Sequence, residues 1–364
     1  MTAEKILFAL LRCALWGDEL KQDLDSADVL AALELAKQQT VVGLLFDSVQ
    51  RFQSSKISIP RKELLKWFSL AEKVRKRNVL VNQELIHLVS CLESNGIDYV
   101  VVKGQTLGVC YPKALLRQSG DVDFLIKDNY VSVRDKISRL LDVELPRIII
   151  EKEAVFKINE VAFELHTDLT LFGSKKNQRF WDELIAESWD DHFCVEVDGT
   201  AVRTLPPTVN AAYVFIHIFF HFIREEVGLR QFCDWAVLLH TYTKSINRER
   251  LAVILKKLDM LNAYRAFGTI LTDELGLPEK EFPFEISDKD RRWKKRLLAD
   301  IFKSGSFGKL HQQAKLSWGY KLETLEFVVR NSFLYYRLAP TEMRLIIPHK
   351  IKVNWDLYSK KHKT

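Results

Sequence analysis

The stretch RQSGDVDFLIK, residues 117–127, sets Asp121 and Asp123 one residue apart in a run that otherwise reads as a buried strand. Side chains alternate across a strand, so both carboxylates project from one face. They repel, and one is driven to hold its proton unless a cation lies between them. A divalent ion relieves this, since Mg²⁺ takes one or two carboxylates and completes its shell with water and substrate phosphates. A third acid in the same setting completes a two-ion site. Glu164 in VAFELHTDL (161–169) qualifies, because Glu164, His166 and Asp168 share one strand face while Phe163 and Leu165 point the other way. Such a set suits in-line phosphoryl or nucleotidyl transfer, with ions clamping the attacking and leaving oxygens. The bland alternative is a solvated strand edge whose acids pair with lysines.

The neighbourhood favours the ion. VVKGQTLG (101–108) is a β-branched strand end running through Lys103-Gly104 into a helix start. That arrangement holds phosphate through backbone N–H groups and a lysine. Arg117, four residues before Asp121, adds a guanidinium able to grip phosphate bidentately.

The elements that must position these groups follow from hydrophobic periodicity. Residues 3 to about 94 read as helical, with Asp25 or Ser26 capping one segment and Asn95-Gly96 stopping the last. IDYVVVK (97–103) and DVDFLIK (121–127) read as strands, and Asp128 caps a helix after the second. RIIIEK, EAVFKIN and VAFELHTDL read as further strands, with short turns that suggest antiparallel pairing. FCVEV-DGT-AVRTL reads as a hairpin about Asp198-Gly199. Beyond Pro206-Pro207 the pattern is helical again. The expected fold is α+β: an N-terminal helical segment (1–94), a central mixed or antiparallel sheet (95–205) and a C-terminal helical domain (206–364).

Composition narrows the classes. The 364 residues are 47% hydrophobic with a net charge of +6, an ordinary globular balance that admits a phosphate-bearing ligand without marking a nucleic-acid binder. Five scattered cysteines lack any C-x-x-C pair and read as reduced thiols of a cytoplasmic protein. Glu4, Lys5 and Arg12 interrupt the apolar N-terminus, which argues against a signal peptide, and AAYVFIHIFFHFI (211–223) is too short to span a bilayer. Trp181, Trp189 and Trp235 read as core, and the lysine-rich PHKIKVNWDLYSKKHKT (348–364) as a solvated tail or a contact for an anionic partner.

The run VVKGQTLGVCYPKALLRQSGDVDFLI resembles the signature of an uncharacterised bacterial nucleotidyltransferase family in the polymerase-beta nucleotidyltransferase superfamily. Its pattern is met by Lys103, Gly104, Leu107, Tyr111, Pro112, Arg117, Gly120, Asp121 and Asp123. FELH matches a later strand at Glu164 and His166, and HIFFHFIREEVGLRQFCDW matches a third block at His217, His221, Gly228, Arg230 and Asp234. The likeness spans roughly residues 80–245. It implies two Mg²⁺ ions (or Mn²⁺) on Asp121, Asp123 and Glu164, and an NTP such as ATP held near Lys103, Gly104, Arg117, Gly120 and His166. His217, His221, Arg230 and Asp234 would lie near the cleft. Beside that reading stand core histidines bonded to Asp234 or to backbone, and an intrahelical Arg230–Asp234 pair. The superfamily's usual Gly-Ser or Gly-Gly is here Gly104-Gln105. Lys103, Arg117 or Thr106 then takes the serine's phosphate role.

The expected activity is Mg²⁺-dependent transfer of a nucleoside monophosphate to a hydroxyl-bearing acceptor, a small molecule being favoured. The rivals are a nucleotide-binding scaffold without turnover and an enzyme that modifies RNA or protein. Oligomeric state is not legible.

Overall fold

The computed structural model describes residues 1–147, 149, 153–224, 227–304 and 318–348. Four helices come first: α1 (Ala3–Trp16), α2 (Ser26–Gln38), α3 (Val42–Phe52) and the long α4 (Arg61–Ser94). Asp25 caps α2 by accepting from the Asp28 N–H, and Thr40, at φ 54°, turns the chain between α2 and α3. The apolar periodicity that reads through this point is therefore divided into two helices. Asn95 and Gly96, the latter at φ 63°, end α4.

The sheet block follows: β1 (Tyr99–Val102), the short α5 (Gly104–Gly108), β2 (Val122–Ile126), α6 (Tyr130–Leu141), β3 (Glu153–Ile158), β4 (Val161–His166), α7 (Lys175–Ser188), β5 (Cys194–Val197) and β6 (Thr200–Arg203). The main sheet has order β1-β2-β4-β3 and is mixed: β1 is antiparallel to β2, β2 parallel to β4, and β3 antiparallel to β4. The β2–β4 pair is parallel because α6 and β3 return the chain to the starting end before β4 begins. Asn129, not Asp128, caps α6. Residues 148 and 150–152 of the expected RIIIEK strand lie outside the described residues. β5 and β6 pair as a separate hairpin, with Asp198 and Gly199 both at positive φ, the demand of its two-residue turn.

The remaining helices are α8 (Pro207–Arg224), α9 (Leu229–Thr241), α10 (Arg248–Lys257), α11 (Leu261–Thr269), α12 (Asp288–Ser304) and α13 (Trp318–Leu334). The lysine-rich tail lies almost wholly outside the described residues.

Strand alternation splits the sheet between two cores. Val101, Val122, Phe124, Phe163 and Leu165 face one way, onto Leu85, Leu88 and Leu92 of α4 and Ile137 of α6. Val100, Val102 and Leu125 face the other way, into a larger core shared by α1–α3 and the C-terminal helices. The first and last parts of the chain thus pack together. Trp16 Nε1 donates to the Leu275 carbonyl (2.6 Å), and Gln39 bridges the Ile301 carbonyl and the Leu229 N–H. Trp181, Trp189 and Trp235 are buried. No helix of the described residues is long and apolar enough to cross a membrane.

Candidate functional site

The second sheet face is apolar on β1 and turns acidic across β2 and β4. Asp123 is the register partner of Glu164, and His166 is the partner of both Leu125 on β2 and Glu153 on β3. Parity along the parallel pair therefore sets Asp123, Glu164 and His166 side by side. Their ligand atoms lie within 4.8 Å of one another, the one such metal-competent group among the described residues. His166 Nε2 is 2.8 Å from Asp123 Oδ1 and 3.7 Å from Glu164 Oε2, while its Nδ1 is 3.3 Å from Glu153 Oε2.

Lys103 closes the group from β1, its Nζ 2.9 Å from Asp123 Oδ1. It does so from a backbone at φ 57°, ψ −148°, followed by Gly104 at φ 48°. A residue with a Cβ pays about 1–3 kcal/mol to stand there, a strain typical of functional turns. Gly104 needs its glycine for the second positive φ.

Electrostatics divides the two acids. Burial opposes the charge of Asp123, but the Lys103 ammonium and His166 outweigh it and hold the carboxyl well below its usual range. Asp123 in turn keeps the buried Lys103 ammonium charged against desolvation. Glu164 is pushed up to about 9, first by burial, then by the charges of Asp123, Asp121 and Glu153. A cluster in which one carboxylate cannot hold its charge alone fits a divalent cation, which would supply the missing counter-charge.

Asp121 shares the parity of Asp123 but precedes β2, is only half-buried, and is not part of the 4.8 Å group. Its charge is felt on both sides, by Glu164 and Lys103 and by Arg117 and Arg230.

The other expected residues form a second cluster. Arg117 chelates Asp234 through Nε (2.6 Å) and Nη2 (2.7 Å), and the Tyr111 hydroxyl donates to the same carboxylate at 2.7 Å. Asp234 therefore serves Arg117 and Tyr111, in place of an intrahelical bond to Arg230. Arg230 Nη1 donates to the Gln118 carbonyl at 2.9 Å. His217 and His221 meet edge to face on α8, with ring centroids 4.2 Å apart, and are half-buried, on the same face as Tyr213 one turn earlier.

Gln105 is buried and donates to the side-chain oxygens of Asn78 and Asn82 on α4. Asn78 in turn donates to the carbonyls of Leu115 and Arg117 (2.8 and 2.7 Å), so the glutamine helps hold the loop that carries Arg117. Thr106 donates to the Lys103 carbonyl at 2.8 Å.

Two residues near the acids escape a sequence reading. Glu153 reaches His166 only through the β3–β4 register. Tyr213 lies on an apolar helix and is buried, yet its hydroxyl is close enough to sense Lys103, Asp123 and Glu164, with burial the chief cause of its raised pKa. Its i, i+4 spacing to His217 was the available signal.

Residues 25–275 match the family described as uncharacterised nucleotidyltransferase. The chain belongs to that family. No curated protein matches it. Among solved structures it is similar to the antibiotic-resistance factor ANT(2'')-Ia, at 8% identity and TM-score 0.34 over 49% of this chain and 90% of that one. A nucleotidyltransferase-like antigen of Paracoccidioides brasiliensis gives 13% identity and TM-score 0.32 over 58% and 97%. A tRNA nucleotidyltransferase solved with a primer tRNA and an ATP analogue gives 15% and 0.21 over 76% and 98%. Likeness at these TM-scores adds nothing to the family match.

Proposed function

We propose that this member of the family transfers a nucleoside monophosphate from an NTP to the hydroxyl of a small-molecule acceptor, releasing pyrophosphate. The observation that carries the reading is the juxtaposition of Asp123, Glu164 and His166 beside Lys103. Asp123 and Glu164, with His166 or Asp121 completing the set, would hold Mg²⁺ or Mn²⁺. Such an ion, when bound, offsets the charge that builds on the phosphoryl oxygens. Glu153 faces His166 Nδ1 and so would fix the ring with Nε2 directed at the acids.

In the reaction the acceptor oxygen bonds to the α-phosphorus as the bond to the β-phosphate oxygen breaks. Glu164 holds its own proton without a cation; with a cation offsetting the neighbouring charges it would be ionised and would take the acceptor's proton. Lys103 stands beside Asp123, where the α-phosphate oxygens would lie.

The test is pyrophosphate release from each labelled NTP with Mg²⁺ or Mn²⁺, with and without cell extract. The wild type is compared with the Asp121→Asn/Asp123→Asn variant. Release from the wild type alone supports the reading, and none above the double variant removes it. A nucleotide-binding protein without turnover is the second reading. It is favoured by the Lys103–Asp123 pair, which neutralises the deepest carboxylate with the chain's own cation.

A further inference from the structure

The first half of α4 has little packed against it. Over residues 61–77 only Trp67 and Ala71 are buried, whereas the second half packs on the sheet. Trp67 anchors the open half: it joins the core that holds α1–α3, with Lys37 Nζ 4.4 Å from its ring. The outward side is not an ordinary polar face. Leu65 and Phe68 are 56% and 45% exposed, and no other helix among the described residues exposes two large apolar side chains.

The charge around that pair is one-sided. Residues 61–77 hold seven basic and two acidic side chains, in a chain whose net charge is +6. Both acids are taken within the helix, Glu63 by Lys66 (2.7 Å) and Glu72 by Arg75 (2.9 Å). Arg61, Lys62, Lys73 and Lys76 are exposed and make no ion pair among the described residues. At the helical repeat these four cations share a face about 140° wide with Leu65 and Phe68.

Apolar side chains set among lysines on one solvent face match a surface that is anionic outside and apolar beneath, as a bilayer with acidic headgroups is. A nucleic-acid backbone matches the lysines but offers nothing to Leu65. The Phe68 ring already meets Phe46 of α3 edge to face (6.2 Å), so it does not stand free to stack on bases. Helix α12 is the comparison within the molecule. Lys289, Arg292, Lys295 and Arg296 are exposed on it, yet no large apolar side chain is.

We propose that the 61–77 half of α4 docks the protein on an anionic membrane surface. Leu65 and Phe68 enter the headgroup layer, and Arg61, Lys62, Lys73 and Lys76 meet lipid phosphates. The helix lies on the bilayer without crossing it. This goes beyond the transfer reaction and does not depend on it.

Sedimentation of the full chain with vesicles of phosphatidylcholine alone, or mixed in equal parts with phosphatidylglycerol, tests the proposal. The wild type is expected to sediment with the mixed vesicles only. Lys62→Gln/Lys73→Gln/Lys76→Gln is expected to weaken that binding about a hundredfold, at roughly fivefold per charge. Leu65→Ser/Phe68→Ser keeps every charge and is expected to weaken it about tenfold or more. Lys289→Gln/Arg292→Gln/Lys295→Gln removes equal charge from α12 and is expected to bind as the wild type does. Thermal melts report folding, and should the Leu65/Phe68 variant fail to fold, Leu65→Ser alone carries the apolar arm. A wild type that ignores the mixed vesicles overturns the proposal. So does equal loss in the α12 variant, or full binding by a folded variant with the apolar pair replaced. Anisotropy of a labelled single-stranded RNA is the last arm: RNA binding governed by the three α4 lysines, without vesicle binding, overturns the lipid surface in favour of a nucleic acid.

Discussion

Asp123 and Glu164 are register partners across the parallel β2–β4 ladder, yet their surroundings drive them to opposite protonation states. Lys103 and His166 keep Asp123 ionised. Burial and the neighbouring charges of Asp123, Asp121 and Glu153 keep a proton on Glu164 up to about pH 9, with Lys103 only partly opposing them. Paired carboxyls split in this way are how a site separates its acid and base roles.

Cation binding should therefore release a proton. Near pH 7 a divalent ion that uses Glu164 must displace the proton held there, so about one proton leaves per ion bound. Calorimetry of Mn²⁺ binding in buffers of different ionisation enthalpy measures this directly. Apparent affinity should rise about tenfold per pH unit between 6 and 8, and Glu164→Gln should abolish the release. A wild type that binds the ion with no proton release would count against Glu164 as a ligand.

The ion-free fold should lose stability as the solution becomes alkaline. A carboxyl raised in the folded state favours folding fully below its unfolded pKa, and that contribution is lost as pH climbs toward 9. Asp123 acts in the opposite window, its contribution being lost only as pH falls into the acid range. In chelator, Glu164→Gln should be more stable than wild type at pH 8 by on the order of 3 kcal/mol. Urea unfolding at pH 5, 7 and 8 checks this, and parallel pH profiles for the two proteins would contradict it.

The buried Arg117–Asp234 pair should show strong non-additivity. Replacing either partner with alanine strands the other charge in the core, at a cost of about 3–5 kcal/mol. Arg117→Met/Asp234→Leu should cost clearly less than the sum of the single changes, because no charge is left alone. Tyr111→Phe removes one neutral donor to the carboxylate and should cost ~1 kcal/mol. Denaturant melts of the four variants decide the matter.

Alternation in DVDFLI and VAFELH was enough to read the strands and which acids share a face within each, since period two is a local property; the parallel β2–β4 pairing was not legible. Depth is not local. Asp121 and Asp123 have the same parity, but Asp123 lies inside the β1–β2–β4 ladder, 3% exposed, while Asp121 stands before the strand and stays half-open. Arg117 reads as an open phosphate ligand, but it is buried, with Nε and Nη2 given to Asp234 of α9 and only Nη1 left without a partner among the described residues. That contact joins residues 117 apart, from the loop before β2 to the second of the C-terminal helices, and no short motif encodes it. Gln105 departs from the superfamily's small residue for a reason equally remote, its bonds to Asn78 and Asn82 on α4. The shared core of the first and last helices was likewise hidden, because each helix shows only that it has an apolar face.

A glycine far from the acids should govern the Arg117 loop. Gly43 on α3 is packed so tightly against the 114–116 turn that a Cβ would overlap the Leu116 carbonyl, the residue just before Arg117. Lys113 pairs with Asp47 of the same helix, and Asn78 holds the loop from the other side, so the turn has little room to yield. Gly43→Ala should cost about 1–3 kcal/mol by overpacking and should also displace Arg117, the phosphate ligand expected from the family resemblance, weakening NTP binding measured by calorimetry. Gly268→Ala is the control, because its Cβ would strike the Phe282 ring in the C-terminal helical core and not this loop. It should lower the melting temperature comparably and leave NTP affinity unchanged. Equal affinities in both variants would mean that α3 supports the fold without setting the position of Arg117.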